Sequence, residues 1–294
     1  MNLKSPSTPA GKKENNDRLR IDPETGFRRT IGIVGGLGPH AHLEFERLLL
    51  KHASLYLRRP LCDQDYPKWI LSSIPTTPDR TQALQDSGPT PVPFIERSLR
   101  QLEGTSESRG ADFAVIVCIT AHAFLRELEQ TTRIPILNIV NETLTKVARM
   151  ERIKTVGLLA TTGTLQAKVF EREGRQSGSR LSFVSLFDAP EGASLQEDLV
   201  MDAIYGVPDK QGRRIGGIKS GSAEEVAPEG KSAILLRSAA QRLAAQGADI
   251  ILTACTEIAL ALGRDSVEGI PLLDPVDVAA EAAIEIAAGG RPLP

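Results

Sequence analysis

The sequence predicts an α/β protein with mainly parallel sheets, arranged as two similar domains around one cleft. Three observations carry that expectation. Short apolar, β-branched runs alternate along the chain with stretches of helical periodicity, the signature of strands joined by crossover helices. A set of landmarks occurs twice in the same order. The chain of 294 residues, 41% hydrophobic and 24% charged, is also long enough for two packed domains of about 100 to 150 residues each.

Residues 1–29 are polar and rich in Pro, Lys and Asn, without the apolar segment of a secretory signal, and are expected to be an extension outside the fold. The first strand is expected at Thr30–Val34, where TIGIV runs into Gly35, Gly36, Gly38 and Pro39. Pro39 suits a first helical turn, and Leu43, Leu48 and Leu49 recur at helical spacing up to about Leu57. Further strand-like runs follow at Trp69–Ile74, Phe113–Val117, Ile134–Ile139, Thr155–Leu159, Phe183–Phe187, Ile250–Ala254 and Ile270–Leu273. Two Pro/Thr- or Gly-rich stretches, Ser72–Phe94 and Gly206–Lys231, read as long loops of the kind that act as lids. The second holds an apparent insertion, PDKQGRRIGG, before Ile218.

The duplication is specific. Gly110-Ala111-Asp112 leads through an apolar run to Cys118, and Gly247-Ala248-Asp249 leads, at the same spacing, to Cys255. Downstream, Ile134-Pro135-Ile136-Leu137-Asn138 is echoed by Ile270-Pro271-Leu272-Leu273-Asp274, and upstream Thr30–Val34 is echoed by Thr155–Leu159. The expected division is a first domain over 30–145, joined by the C-terminal segment 270–294, and a second over 146–269. Each domain ends a strand with a cysteine, and ligands of open α/β sheets bind at those strand ends. Because Thr120 and His122 follow the first thiol and Thr256 and Glu257 the second, both are expected at a wet strand terminus. Cys62 shares neither feature and reads as structural.

Composition narrows the partner. The 35 Lys and Arg balance 37 Asp and Glu, so there is no basic footprint for nucleic acid, and a small molecule is the expected partner. The longest apolar stretch, Phe113–Leu125, is interrupted by Thr120 and His122 and is short of the roughly 20 residues that span a bilayer. Three scattered cysteines fit a reducing compartment, so a cytoplasmic location without membrane contact is expected. Gly36-Leu37-Gly38-Pro39-His40-Ala41 fits a loose dinucleotide fingerprint, but the next strand-like run ends in Ser72 and Ser73 where a ribose-binding acid belongs. His40 and His42, two apart, do not share a helical face, and no metal is expected. His122 either lowers the Cys118 pKa, serves hydrolase chemistry, or caps or packs the helix that follows it.

These residues resemble the cofactor-independent aspartate/glutamate racemase superfamily, most of all its aspartate racemase branch. The resemblance runs over about residues 30–288 through IGIVGGLGP, Asp63-Gln64-Asp65, IPTTPDRT, CITAH at 118–122, ATTGT at 160–164, GIKSG at 217–221 and ACTEI at 254–258. It implies two flavodoxin-like domains with the active site between them, a homodimer, and an amino-acid racemase that uses no pyridoxal phosphate or other cofactor. Cys118 and Cys255 would be the acid and base; Arg80, Thr120, Thr161, Lys219 and Thr256 would bind substrate, aspartate or glutamate. Racemisation needs two acid/base groups on opposite sides of one carbon, and a pseudo-symmetric pair of thiols supplies them. Relatives of this architecture also include maleate isomerases, decarboxylases and hydantoin racemases, and a non-catalytic amino-acid-binding protein would keep the same cleft. One position departs from the family pattern C-N-T-A-H: Ile119 stands where an asparagine bonds substrate, which predicts an apolar pocket wall and altered selectivity.

Overall fold

The computed structural model describes residues 26–294, so most of the extension expected over 1–29 lies outside the described residues. The fold itself begins earlier than Thr30. Phe27 is buried in the core, and the backbone N–H groups of Arg28 and Arg29 both donate to the Ala287 carbonyl.

The first half alternates β1 (Ile31–Gly35), α1 (Pro39–Leu57), β2 (Trp69–Ser73), α2 (Arg80–Leu84), α3 (Val92–Leu102), β3 (Phe113–Ile116), α4 (Leu125–Glu129), β4 (Ile136–Leu137) and α5 (Ile139–Ala148). The second runs β5 (Thr155–Ala160), α6 (Thr162–Gln166), α7 (Val169–Gln176), β6 (Ser182–Val184), α8 (Gly192–Leu195), α9 (Asp202–Tyr205), β7 (Val207–Pro208), β8 (Arg214–Ile215), α10 (Ala223–Val226), α11 (Lys231–Ala245), β9 (Ile250–Ala254), α12 (Ile258–Leu262), β10 (Ser266–Val267), β11 (Ile270–Leu273) and α13 (Pro275–Ala288). Pro39 opens α1 and Pro275 opens α13, where a missing N–H costs nothing. Among the described residues no helix is long and apolar enough to cross a membrane.

The first sheet is parallel in the order β2-β1-β3-β4. The second has the order β10-β11-β9-β5-β6, parallel except for β10. Without β10 and read from its far edge, that is β6-β5-β9-β11, the same winding as the first sheet. The duplication in sequence is thus a duplication in topology.

Four expectations are corrected. The strand expected at Ile134–Ile139 shrinks to Ile136–Leu137, because Asn138 turns the chain and accepts the Asn141 N–H as the N-cap of α5. The run Phe183–Phe187 stops at Val184, because Ser185 and Asp188 close a capped turn. The two presumed loops carry structure: Ser72–Phe94 contains α2 and the start of α3, and Gly206–Lys231 contains the β7–β8 hairpin, built from the insertion, and α10. The segment 270–294 also divides rather than joining the first domain whole. Its strand β11 pairs with β9 in the second sheet, while its helix α13 packs against α1 and α5.

Strand alternation sorts the side chains into three cores. Val115, Val117 and Ile119 point to one face with Phe45, Phe113, Val156, Leu158, Phe170, Ile250, Leu252 and Ile284, forming a central core fed by both halves. Ala114, Ile116 and Cys118 point the other way into an outer core under α3 and α4, and Ile251 and Cys255 into an outer core under α11. Burying a large aliphatic or aromatic side chain contributes about 1.5–3 kcal/mol, so the central core is the main adhesive between the halves. The helix that follows the fourth strand of each half crosses over: α5 lies on α7, and α13 lies on α1.

Candidate active site

The two cysteines leave equivalent strand ends. Cys118 follows β3 by two residues and Cys255 follows β9 directly. Neither is wet: each is 7% exposed, which corrects the expectation of a solvated terminus. The polar residues after them are turned inward by specific partners.

His122 is the clearest case. It donates from Nδ1 to the Cys118 carbonyl at 2.9 Å and accepts the Ile139 N–H on Nε2 at 3.2 Å, so both ring nitrogens are used and the imidazole is neutral. It braces the Cys118 turn against the start of α5 and is not a partner of the thiol. Burial pulls its pKa from 6.5 to about 4, with hydrogen bonding to the Cys118 and Ile119 backbone opposing the shift. Between these values the unfolded chain binds more protons than the folded one. The stabilisation is therefore complete above pH 6.5 and is lost as pH falls toward 4, about 3 kcal/mol in all. His122→Gln, whose amide can imitate both bonds without titrating, is expected to lose about 2 kcal/mol less than the native protein between pH 7 and pH 5, measured by urea unfolding. Parallel pH profiles would contradict this role.

Ile119 is 2% exposed and sits in the central core, continuing the row of Val115 and Val117. It is no pocket wall, and the altered selectivity expected from it is withdrawn. The reason is the turn that follows β3: Ile119 takes helical backbone angles there, at the start of the turn Thr120–Phe124, and its side chain joins the core of Val115 and Val117.

Arg80 is the first residue of α2, capped by Asp79, whose Oδ1 accepts the Gln82 N–H at 3.0 Å. Its guanidinium donates to the Leu37 and Pro78 carbonyls and lies close enough to Cys118 for the two to interact electrostatically. Burial opposes the charge, but Cys118, Asp79 and Tyr205 outweigh it and hold the guanidinium protonated. Its Nε is buried without a hydrogen-bond partner among the described residues. The β1–α1 turn reaches this point because Gly36 adopts φ +79°, and a Cβ there would stand 2.5 Å from the Ile74 nitrogen.

Around Cys255 the charges are denser. Cys255 Sγ donates to Glu257 Oε2 at 3.1 Å, Thr256 Oγ1 donates to the same oxygen at 2.7 Å, and Lys219 Nζ pairs with Oε1 at 2.8 Å. Burial would raise Glu257, yet Lys219, Thr256 and Cys255 hold it down at about 2. Burial, then Glu257, pushes the Cys255 thiol well up, with Lys219 pulling against them. Burial would lower Lys219, but Glu257, Tyr205 and Cys255 raise it. Lys219 lies 5.3 Å over the Tyr205 ring, and the Tyr205 hydroxyl crosses between the halves to Asp79 Oδ2 at 3.0 Å. Gly38 of the first half packs on Glu257 so closely that a Cβ would stand 2.2 Å from Oε1.

Thr120 and Thr161 meet away from these charges. With Thr164 they form a buried triangle of hydroxyls spaced 2.9–3.1 Å apart, joining the Cys118 turn to the start of α6. Of the residues expected in the site, Arg80 gathers with Cys118, Lys219 and Thr256 gather around Cys255 and Glu257, and Thr120 and Thr161 bond each other. Glu257, Tyr205 and Asp79 were missed as site residues. The signal for Glu257 was its place two residues after Cys255; Tyr205 adjoins the insertion and gave none. Among the described residues no group of three or more His, Cys, Asp or Glu is placed to hold a metal ion.

Comparison with known proteins follows the same lines. A family model described as Asp/Glu/Hydantoin racemase matches residues 34–283. The broad specificity amino-acid racemase RacX of Bacillus subtilis is 27% identical over 155 residues, 51% of this chain and 63% of that protein. The match thus spans less than two thirds of the curated relative's length. Among solved structures, the Picrophilus torridus aspartate racemase is similar with a TM-score of 0.65 at 24% identity, over 89% of this chain and 94% of that one. An Asp/Glu racemase structure from Yersinia pestis is similar with a TM-score of 0.64 at 21% identity, over 88% and 99%. At these identities the structural likeness is one of fold.

Proposed function

Because the chain belongs to the Asp/Glu/hydantoin racemase family, we propose that it racemises an amino acid at Cα with Cys118 and Cys255 as the two acid/base groups and without pyridoxal phosphate. The observation that carries this is the placement of two cysteines at equivalent strand ends of two identically wound sheets, one near the buried Arg80 and the other near the half-buried Lys219. One thiolate removes the Cα proton and the opposite thiol returns one, with the assignment reversed for the other enantiomer. The unpartnered Nε of Arg80 is a ready donor for a substrate carboxylate, and the cations would spread charge from the carbanion-like transition state.

Aspartate or glutamate is the proposed substrate. With Ile119 in the core, nothing at that position argues for another amino acid, and aspartate is the simpler choice. The curated relative is called broad specificity, so neutral amino acids belong in the same assay. A cytoplasmic homodimer completes the proposal. The test is deuterium exchange at Cα in heavy water together with chiral chromatography across the common amino acids. Exchange and loss of optical purity are expected for an acidic amino acid; turnover of maleate, or binding without exchange, would overturn the proposal. Arg80→Ala is expected to raise KM for a dicarboxylic substrate by about tenfold or more and Arg80→Lys by clearly less, since the first removes fork and charge and the second only the fork. Equal small effects would place Arg80 outside the binding site.

A further inference from the structure

We infer that Glu257 is the positioning residue of the second thiol: its carboxylate takes the hydrogen of Cys255 Sγ and makes the two thiols unequal, with Cys255 resting as proton donor and Cys118 as acceptor. The roles of donor and acceptor rest on the two-thiol function proposed above; the inequality of the thiols does not.

The geometry is one-sided. Cys255 has a carboxylate oxygen at 3.1 Å, whereas the charged group that acts on Cys118 is the Arg80 guanidinium. The Glu257 carboxylate is fixed from every side, by Lys219 on Oε1, by Thr256 and Cys255 on Oε2, and by the Gly38 backbone of the other half. Its side chain is 2% exposed, so water does not compete for the thiol hydrogen. A carboxylate with no mobility beside an S–H group fixes where that hydrogen points. It also makes departure of the proton unfavourable, since a thiolate would then face an anion. Lys219 moderates the penalty, with Tyr205 under its ammonium and Arg80 acting on it from α2.

In turnover starting from this arrangement, Cys118 Sγ takes the Cα proton, leaving the C–H electron pair on the substrate. Cys255 then gives its S–H proton to the opposite face of that pair, and its own bonding pair stays on sulfur beside Lys219. The reverse reaction starts from the state so produced.

Peptide-resolved alkylation by iodoacetamide, without substrate, reads the inequality directly. Exposed Cys62 serves as internal reference. In the native protein at about pH 7.5, Cys118 is expected to react at least about tenfold faster than Cys255. Glu257→Gln, which removes the anion and keeps the side-chain shape, is expected to accelerate Cys255 at least about tenfold while Cys118 stays within about twofold. Glu257→Asp, still a carboxylate facing Lys219, is expected to stay within about threefold of native. An unchanged Cys255 rate in Glu257→Gln overturns the inference, as does a parallel rise at both cysteines, which would mean a loosened cleft. If Glu257→Gln does not fold, the native protein decides: the Cys255 alkylation rate must still be climbing steeply between about pH 8 and pH 10, and a flat profile over that range overturns the inference. None of this needs turnover. Failure of the racemase proposal would show as absent Cα exchange in the native protein, with the alkylation pattern intact.

Discussion

Replacing either Cys118 or Cys255 by alanine is expected to slow racemisation about a thousandfold or more in both directions, since positioned acid/base groups contribute 10²–10⁴-fold each and neither thiol can reach both faces of one carbon. The two sites stand at the ends of β3 and β9 in sheets of identical winding, so neither half holds a spare group in an equivalent place. Both variants should fold, because a buried cysteine changed to alanine loses little volume and no structural bond of the backbone. Far-ultraviolet circular dichroism verifies the fold, and chiral chromatography from each pure enantiomer gives the rates. Activity within tenfold of native in either variant would end the two-base mechanism.

Ile119→Asn is expected to destabilise the protein by about 3–5 kcal/mol, which for a chain of this size lowers Tm by roughly 10 °C. The substitution removes a fully buried aliphatic side chain from the central core and places there an amide with no partner in reach of its usual hydrogen bonds. It would restore the family's C-N-T-A-H pattern, yet no gain in kcat/KM for aspartate is expected. Calorimetry and an aspartate assay check the two halves of this statement. A loss below about 1 kcal/mol accompanied by faster turnover would return Ile119 to the pocket.

Much of the fold was legible in the residues, for identifiable reasons. The strand ends at Gly35 and Ala254 and the helix end at Leu57 follow from local pattern alone, because β-branched runs and helical spacing are short-range signals. The repeated Gly-Ala-Asp and Ile-Pro landmarks foretold two sheets of one winding, since equal spacing between strands fixes equal connections. The site was legible only in outline. A motif can place Cys118 and Cys255 at strand ends, but which way Ile119 points depends on how the turn after β3 folds, and that turn decides between core and cleft. Glu257 was visible as a polar neighbour; that it also holds Lys219 depends on a second, distant turn converging on the one after β9. The contact of Tyr205 with Asp79 spans 126 positions of sequence, and no local pattern announces such a pair.

The exchange of final helices has a consequence for traffic through the site. Both thiols and Arg80 are almost sealed from solvent, so a substrate must find an entrance. Swinging the halves apart like a book would strip α13 from α1 and expose the apolar floor they share. Passage is therefore left to the rim, to the stretch bearing Arg80 and the stretch from Tyr205 to Lys219. There a hydroxyl–carboxylate latch, Tyr205 to Asp79, joins the two banks.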